Sequence, residues 1–387
     1  MEPNPGGRLA LTDIVGRSRE IERYWRILRR QSLVLGAERR LGKTHIVWKM
    51  QAEGREGFVT FYQDLEGIHS ILELVRDIYR TIGPRLSTVG KLKADMIAAW
   101  ETIVPKRYGA LDLPDAKNNW KILFRTAIND VLKVVPASEK VVLMWDELPL
   151  MLYNIQQREG SSAAIELLDV LRQLRQIHGT RLRFIFTGSI GLHLILRALR
   201  AQGNSNDPVN DMYTESVPPM RENEGLELAR RILESLNPVP TDINAVATRM
   251  VDRVSGYPYF LHHVADRLSR LDAGATPADV DDAVTALIED PDDGAHLGYF
   301  RFRIDTYYLP DEIPIALALL DSIAGSERSV DFETLVNLAR HRCPEIREED
   351  ARTSLMLLRQ DHYIQLVNAR YDFRWVILKQ WWKGNRL

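Results

Sequence analysis

The chain has 387 residues, of which 45% are hydrophobic and 27% charged, with a formal net charge of -2; that length predicts two or three domains, and the near-neutral balance argues against coating nucleic acid or anionic membrane by charge alone. Cys343 is the only cysteine, which excludes a disulfide framework and a Cys-based metal site, and the nine histidines show no metal-binding spacing. No apolar run approaches the roughly 18 residues of a membrane span, and "MEPNPGGR" lacks the apolar segment of a signal peptide, so a cytoplasmic protein with no membrane partner is expected.

After an N-terminal tail (1–11), Leu33, Val34 and Leu35 in "SLVLGAERRLGKTHIVWKM" form an apolar run. The layout is a buried strand, a loop and a helix start, which a phosphate-binding loop requires: consecutive backbone N–H groups at a helix N-terminus cradle an anion. The motif G-x-x-x-x-G-K-[ST] falls on Ala37, Glu38, Arg39, Arg40, Leu41, Gly42, Lys43 and Thr44, with His45 next. Lys43 is expected to reach the β- and γ-phosphates and the Thr44 hydroxyl to ligate magnesium. The first glycine is missing: Ala37 stands there, with Gly36 one residue early. The plain alternative is a tight strand-to-helix turn with a solvated lysine.

"FVTFYQDLEG" (58–67) is the second strand, and a helical insertion is expected over about 68–137, where Trp120, Phe124, Ile128 and Val131 recur at helical spacing. In "EKVVLMWDELPLML" (139–152) a buried strand ends in Asp146 and Glu147. Asp146 is expected to hold magnesium, and Glu147 to orient and polarise the attacking water, although acids also suit the start of a helix. A third apolar strand, "RLRFIFTGSIGLH", ends in Thr187, Gly188 and Ser189. Ligands of open α/β sheets bind beyond the carboxyl ends of the strands, so Ser189, or second to it Thr187, could bond the γ-phosphate or the water. A turn closing the strand explains the same residues.

A polar loop at 201–212 precedes a last core strand at "YTESV". "ENEGLELARRILESL" opens a helical lid (219–290) whose last helix starts at Thr276-Pro277, an N-cap with proline at the first helical position. Beyond the linker "EDPDDGAHLG", three amphipathic helices and a hairpin centred on "NA" predict a winged helix over 291–387. From 328 to 387 there are 11 Lys and Arg against 8 Asp and Glu, 11 − 8 = +3. The recognition helix nevertheless begins with Glu348, Glu349 and Asp350, where a groove reader would touch bases. Trp375, Trp381 and Trp382 suit core or interface better than stacking on nucleic acid.

As a set, "DIVGRSREIERYWRIL", "GAERRLGKT", "WDELPLML" and "FTGSIGLH" resemble the archaeal-type ATPases of the AAA+/STAND class of P-loop proteins, relatives of the origin-recognition ATPases. The resemblance spans most of residues 12–270. It implies that Val15 and Gly16 line the adenine pocket, and that Arg39 and Arg40 match the family's R-R-x-G-K-T loop, from which Ala37 departs. It also implies that Gly256-Tyr257-Pro258 is the family's G-x-P element, with Pro258 against base or ribose; capping rules alone explain the same residues.

The expected architecture is therefore α/β: a P-loop NTPase core of three αβα layers with a parallel sheet (12–218), a helical lid and a C-terminal winged helix. The expected function is a magnesium-dependent ATPase used as a nucleotide-driven switch, with ATP and ADP as ligands and a protein partner to recruit. Arg172, Arg175, Arg197 and Arg200 are candidate arginine fingers in a nucleotide-dependent homo-oligomer. The alternatives are an initiator- or loader-like ATPase on duplex DNA, and a nucleotide-stabilised scaffold with little turnover.

Overall fold

The computed structural model describes residues 1–36, 38–86, 116–202 and 206–387. Ala37, much of the expected insertion (87–115) and residues 203–205 of the polar loop lie outside the described residues. The chain divides into two compact units. One comprises Ser18–Gly36 and Lys43–Val217; the other comprises Met1–Arg17, Ala37–Gly42 and Pro218–Leu387.

The first unit is built on a parallel sheet of β1 (Leu33–Gly36), β2 (Phe58–Asp64), β3 (Lys140–Asp146), β4 (Leu182–Phe186) and β5 (Tyr213–Ser216), in the order β2-β3-β4-β1-β5. A strand covered on both faces reads as a continuous apolar run. Val141 to Trp145 do, and all are buried. Trp145 stacks on Phe124 and Phe186 at 6.2 and 5.9 Å and meets Phe184 edge-on at 5.4 Å, which fastens the helix Ala116–Val134 to the middle of the sheet. Trp120, Phe124, Ile128 and Val131 are all buried, as their spacing predicts. Because β4 lies between β1 and β3, the residues that follow these three strands emerge from adjacent carboxyl ends. That is where a ligand of an open α/β sheet binds.

In the second unit, helices Glu222–Leu233, Ile243–Val254, Pro258–Leu268 and Pro277–Ile288 follow one another. Their ends carry local signals. Ser255 and Gly256 leave the second helix at φ 54° and 63°, and Pro258 opens the third. Thr276 and Asp279 form a reciprocal capping box on the fourth. Helices Gly298–Tyr307, Ile313–Gly325, Phe332–Arg340 and Glu348–Gln360 come next, and then the hairpin β7 (Ile364–Val367) and β8 (Arg370–Phe373). β6 (Val330–Asp331) joins β8 on its other edge, all antiparallel. Asn368 and Ala369 turn the hairpin with φ of 50° and 60°, the conformation of a two-residue primed turn. In the last helix, Val376–Arg386, the buried Trp382 indole donates to Asp321 at 2.7 Å, and Arg386 grips the same carboxylate at 2.8 and 2.9 Å. Trp382 and Trp375 are thus core residues. Among the described residues no helix is long and apolar enough to cross a membrane.

Candidate functional site

In the sheet unit the polar groups centre on Asp146, the last residue of β3, which is buried. Its Oδ2 accepts from the Thr44 hydroxyl at 2.5 Å and from the Tyr62 hydroxyl at 3.4 Å, while Oδ1 accepts from the Thr187 hydroxyl. Backbone bonds fix this arrangement: Leu65 N–H donates to the Asp146 carbonyl at 3.0 Å, and Thr187 N–H to that of Trp145 at 2.9 Å. Asp146 therefore has hydroxyls around it from β2, from the residue after β4 and from the first turn of the helix Lys43–Glu53. The Asp146 charge and burial together push the Tyr62 phenol well above its ordinary range, burial being the larger cause.

Glu147 follows with a left-handed backbone, φ 57°. A non-glycine residue there is uncommon and persists where its surroundings over-determine it. Its Oε2 accepts from both the N–H and the hydroxyl of Ser189, at 2.9 and 2.8 Å. Burial pushes the Glu147 carboxyl above its ordinary range; the Ser189 bonds and the nearby Lys43 charge pull it down without reversing the shift. Between the two hydroxyl residues, Gly188 leaves room for Pro149: a Cβ there would fall 2.5 Å from the proline Cδ. Lys43 is buried at the start of its helix, and His45 packs edge-on against Trp48 at 5.5 Å.

The remaining expected residues belong to the other unit. Val15 is buried. Gly16 has φ 70°, and a Cβ on it would come within 2.9 Å of the Glu224 carboxyl carbon. Arg17, also at positive φ, donates to the carbonyls of Pro218 at 2.7 Å and Leu41 at 3.1 Å. Glu38 is buried and accepts from the Trp375 indole at 2.5 Å. The Arg39 guanidinium lies over Tyr299 at 4.6 Å, and its carbonyl accepts from the Tyr257 hydroxyl. Arg40 (φ 65°) lies over Tyr259 at 4.2 Å and donates to its hydroxyl. Leu41 is buried, and Gly42 has φ 94° with nothing within 4 Å of an added Cβ. Pro258 is the first residue of its helix.

The structure thus brings Thr44, Asp146, Glu147 and Ser189 together in one unit, and sets Thr187 and Tyr62 among them. Ser189 was expected to face the phosphate; here it engages Glu147, and Thr187 engages Asp146. The T-G-S triplet could name both residues, but not which hydroxyl meets which acid. Arg17 and Tyr257 stand in segments that carry the resemblance, but no residue type there names the loop as their partner, and nothing in the local sequence of Tyr259 or Trp375 points to it.

No family model and no curated protein matches the chain. Among solved structures, a Walker-type ATPase of Pyrococcus abyssi superposes with a TM-score of 0.64 at 17% identity, over 96% of this chain and 97% of that one. The chain shares the fold of that ATPase. The Aeropyrum pernix ORC2 protein, described in ADPNP–ADP complexes, has it too, with a TM-score of 0.53 at 12% identity over 95% of this chain and 94% of that one. At these identities the likeness is one of fold.

Proposed function

We propose that this chain is a magnesium-dependent ATP-binding and ATP-hydrolysing switch. One observation carries the proposal: the Thr44 hydroxyl, from the G-K-T segment, lies 2.5 Å from the Asp146 carboxylate, directly before Glu147. A turn with a solvated lysine would not require a buried acid at that hydroxyl. The nucleotides described with the Aeropyrum relative agree with it.

The donor set fits magnesium, which takes hard oxygen ligands and retains several waters. Thr44 and Asp146 would hold the ion, which when bound neutralises phosphate charge. Lys43 would bind the β- and γ-phosphates. Glu147 would take a proton from the attacking water at the carboxylate oxygen that Ser189 now occupies. Thr187 keeps Asp146 oriented. Residues 12–218 would form the ATPase core, 219–290 a lid and 291–387 a winged-helix domain that docks a protein partner. The three acids in the first turn of Glu348–Gln360, one of them, Asp350, paired to Arg347 at 2.7 Å, favour a protein over a duplex phosphate backbone there.

Steady-state ATP hydrolysis with and without duplex DNA, against Glu147→Gln as background, is the test. Magnesium-dependent turnover above that background is expected, unchanged by DNA. Turnover raised by DNA would move the proposal to a loader on duplex DNA, and turnover equal to the background would leave a nucleotide-holding scaffold.

A further inference from the structure

The loop before Lys43 contains no glycine between Gly36 and Gly42, although tight anion-cradling loops ordinarily rely on glycine for their shape. Here residues 38 to 41 are each held by a partner from elsewhere in the same unit. Glu38 accepts from Trp375, Arg39 from Tyr257, Arg40 lies over and bonds Tyr259, and Leu41 accepts from Arg17. The Trp375 and Tyr257 rings also pack on each other at 4.6 Å and 67°, so two of these partners brace one another. A carboxylate buried to 1% exposure, as Glu38 is, is costly unless it is hydrogen-bonded, and the left-handed φ of 65° at Arg40 needs surroundings that impose it.

We propose that Trp375, Tyr257 and Tyr259 are positioning residues of the nucleotide site: an aromatic clasp that gives the phosphate loop the shape its glycine-poor sequence does not. This rests on the nucleotide-binding function proposed above. It means that the segment from the hairpin to the last helix, where Trp375 stands, contributes to phosphate affinity without touching phosphate. The bond most specific to the clasp joins residues 337 apart in sequence.

The experiment titrates a fluorescent ADP analogue into the full chain. Wild type should bind and Lys43→Ala should not; a wild type that fails to bind overturns the nucleotide function itself. Trp375→Phe keeps a ring and removes the N–H. It should weaken binding about tenfold, or ~1.4 kcal/mol, and lower the melting temperature without nucleotide, because the buried Glu38 carboxylate loses that donor. Glu38→Leu removes the acceptor and the buried charge together, and it should weaken binding similarly. Added to Trp375→Phe, it should restore the melting temperature but not the binding, which a purely structural role would not produce; the double variant should bind no worse than the weaker single one. Wild-type affinity in Trp375→Phe, or losses that multiply in the double variant, would overturn the clasp. Should Trp375→Phe melt without cooperativity, Tyr259→Phe decides in its place: it keeps the ring and loses only the hydroxyl bonded to Arg40. About threefold weaker binding supports the clasp, and unchanged binding overturns it.

Discussion

Residues 38–42 and residues 43–44 are consecutive in the chain, yet their surroundings differ in kind. Thr44 meets a carboxylate that is itself ringed by hydroxyls from Tyr62 and Thr187. Residues 38–40 meet aromatic side chains: Trp375, Tyr257, Tyr299 and Tyr259. The first set of contacts is made of chemistry that could act on phosphate: Asp146 ends β3, Thr187 follows β4, Thr44 lies in the first turn of a helix, and Tyr62 lies within β2, two residues before its end. The second set contains no group suited to the reaction. It fixes a backbone. A phosphate loop needs reactive groups and a shape; here the first set of contacts lies within one compact unit and the second within the other.

The comparison is broken most severely at Lys43. Lys43→Ala should abolish measurable ATP binding, where loosening the clasp costs about a factor of ten; equal losses in a nucleotide titration would erase the distinction between reacting and shaping residues. Next comes Glu147→Gln, which should keep ATP affinity while slowing hydrolysis roughly 10²-fold or more. A rapid-quench measurement that finds wild-type turnover would place the base elsewhere.

A smaller effect is expected from Gly188→Ala. With a Cβ 2.5 Å from the Pro149 Cδ, the helix Leu148–Glu159 must shift, at a cost of ~1–3 kcal/mol, and chemical denaturation should show it. Loss of Thr187 and Ser189 contacts would accompany the shift, so turnover should fall further than the clasp variants make it fall.

The subtlest effects concern pH. Burial raises the Glu147 carboxyl above its ordinary range, so the acid limb of the hydrolysis profile should lie above that range too. Ser189→Ala removes a bond that lowers it, and should move the limb further up. A folded-state value raised above the unfolded one contributes stability that is complete below the unfolded value and lost as pH rises through the folded one. Glu147→Gln, which never ionises, should therefore melt higher than wild type at neutral pH, with the gap closing in acid. A gap that widens in acid would mean that the ionised carboxylate is stabilised rather than penalised.

Much of the architecture was legible in the residues. β1, β3 and β4 announce themselves as short apolar runs, and Trp120 to Val131 show a helical period. Turns were legible where one residue type is required: Asn368-Ala369 in the hairpin, Thr276-Pro277 at a helix start, and Ser255-Gly256 at a helix end. The candidate site was legible as three strand endings, G-K-T, D-E and T-G-S. What could not be read was the pairing among them. Thr187 and Ser189 are two residues apart with similar side chains, and only the close packing of Gly188 on Pro149 and the turn at Glu147 give one hydroxyl to Asp146 and the other to Glu147.

The sequence by itself determined which residues could bind phosphate, carry a proton or end a helix, because those properties reside in a side chain and its near neighbours. It also determined the parallel sheet, since strands buried on both faces must be apolar throughout. The tertiary structure alone decided that Glu38 would be buried under an indole 337 residues away. Such a bond leaves no periodicity or local motif, for each partner is compatible with its own neighbourhood, and only the folded chain brings a tryptophan N–H to a carboxylate that must have one.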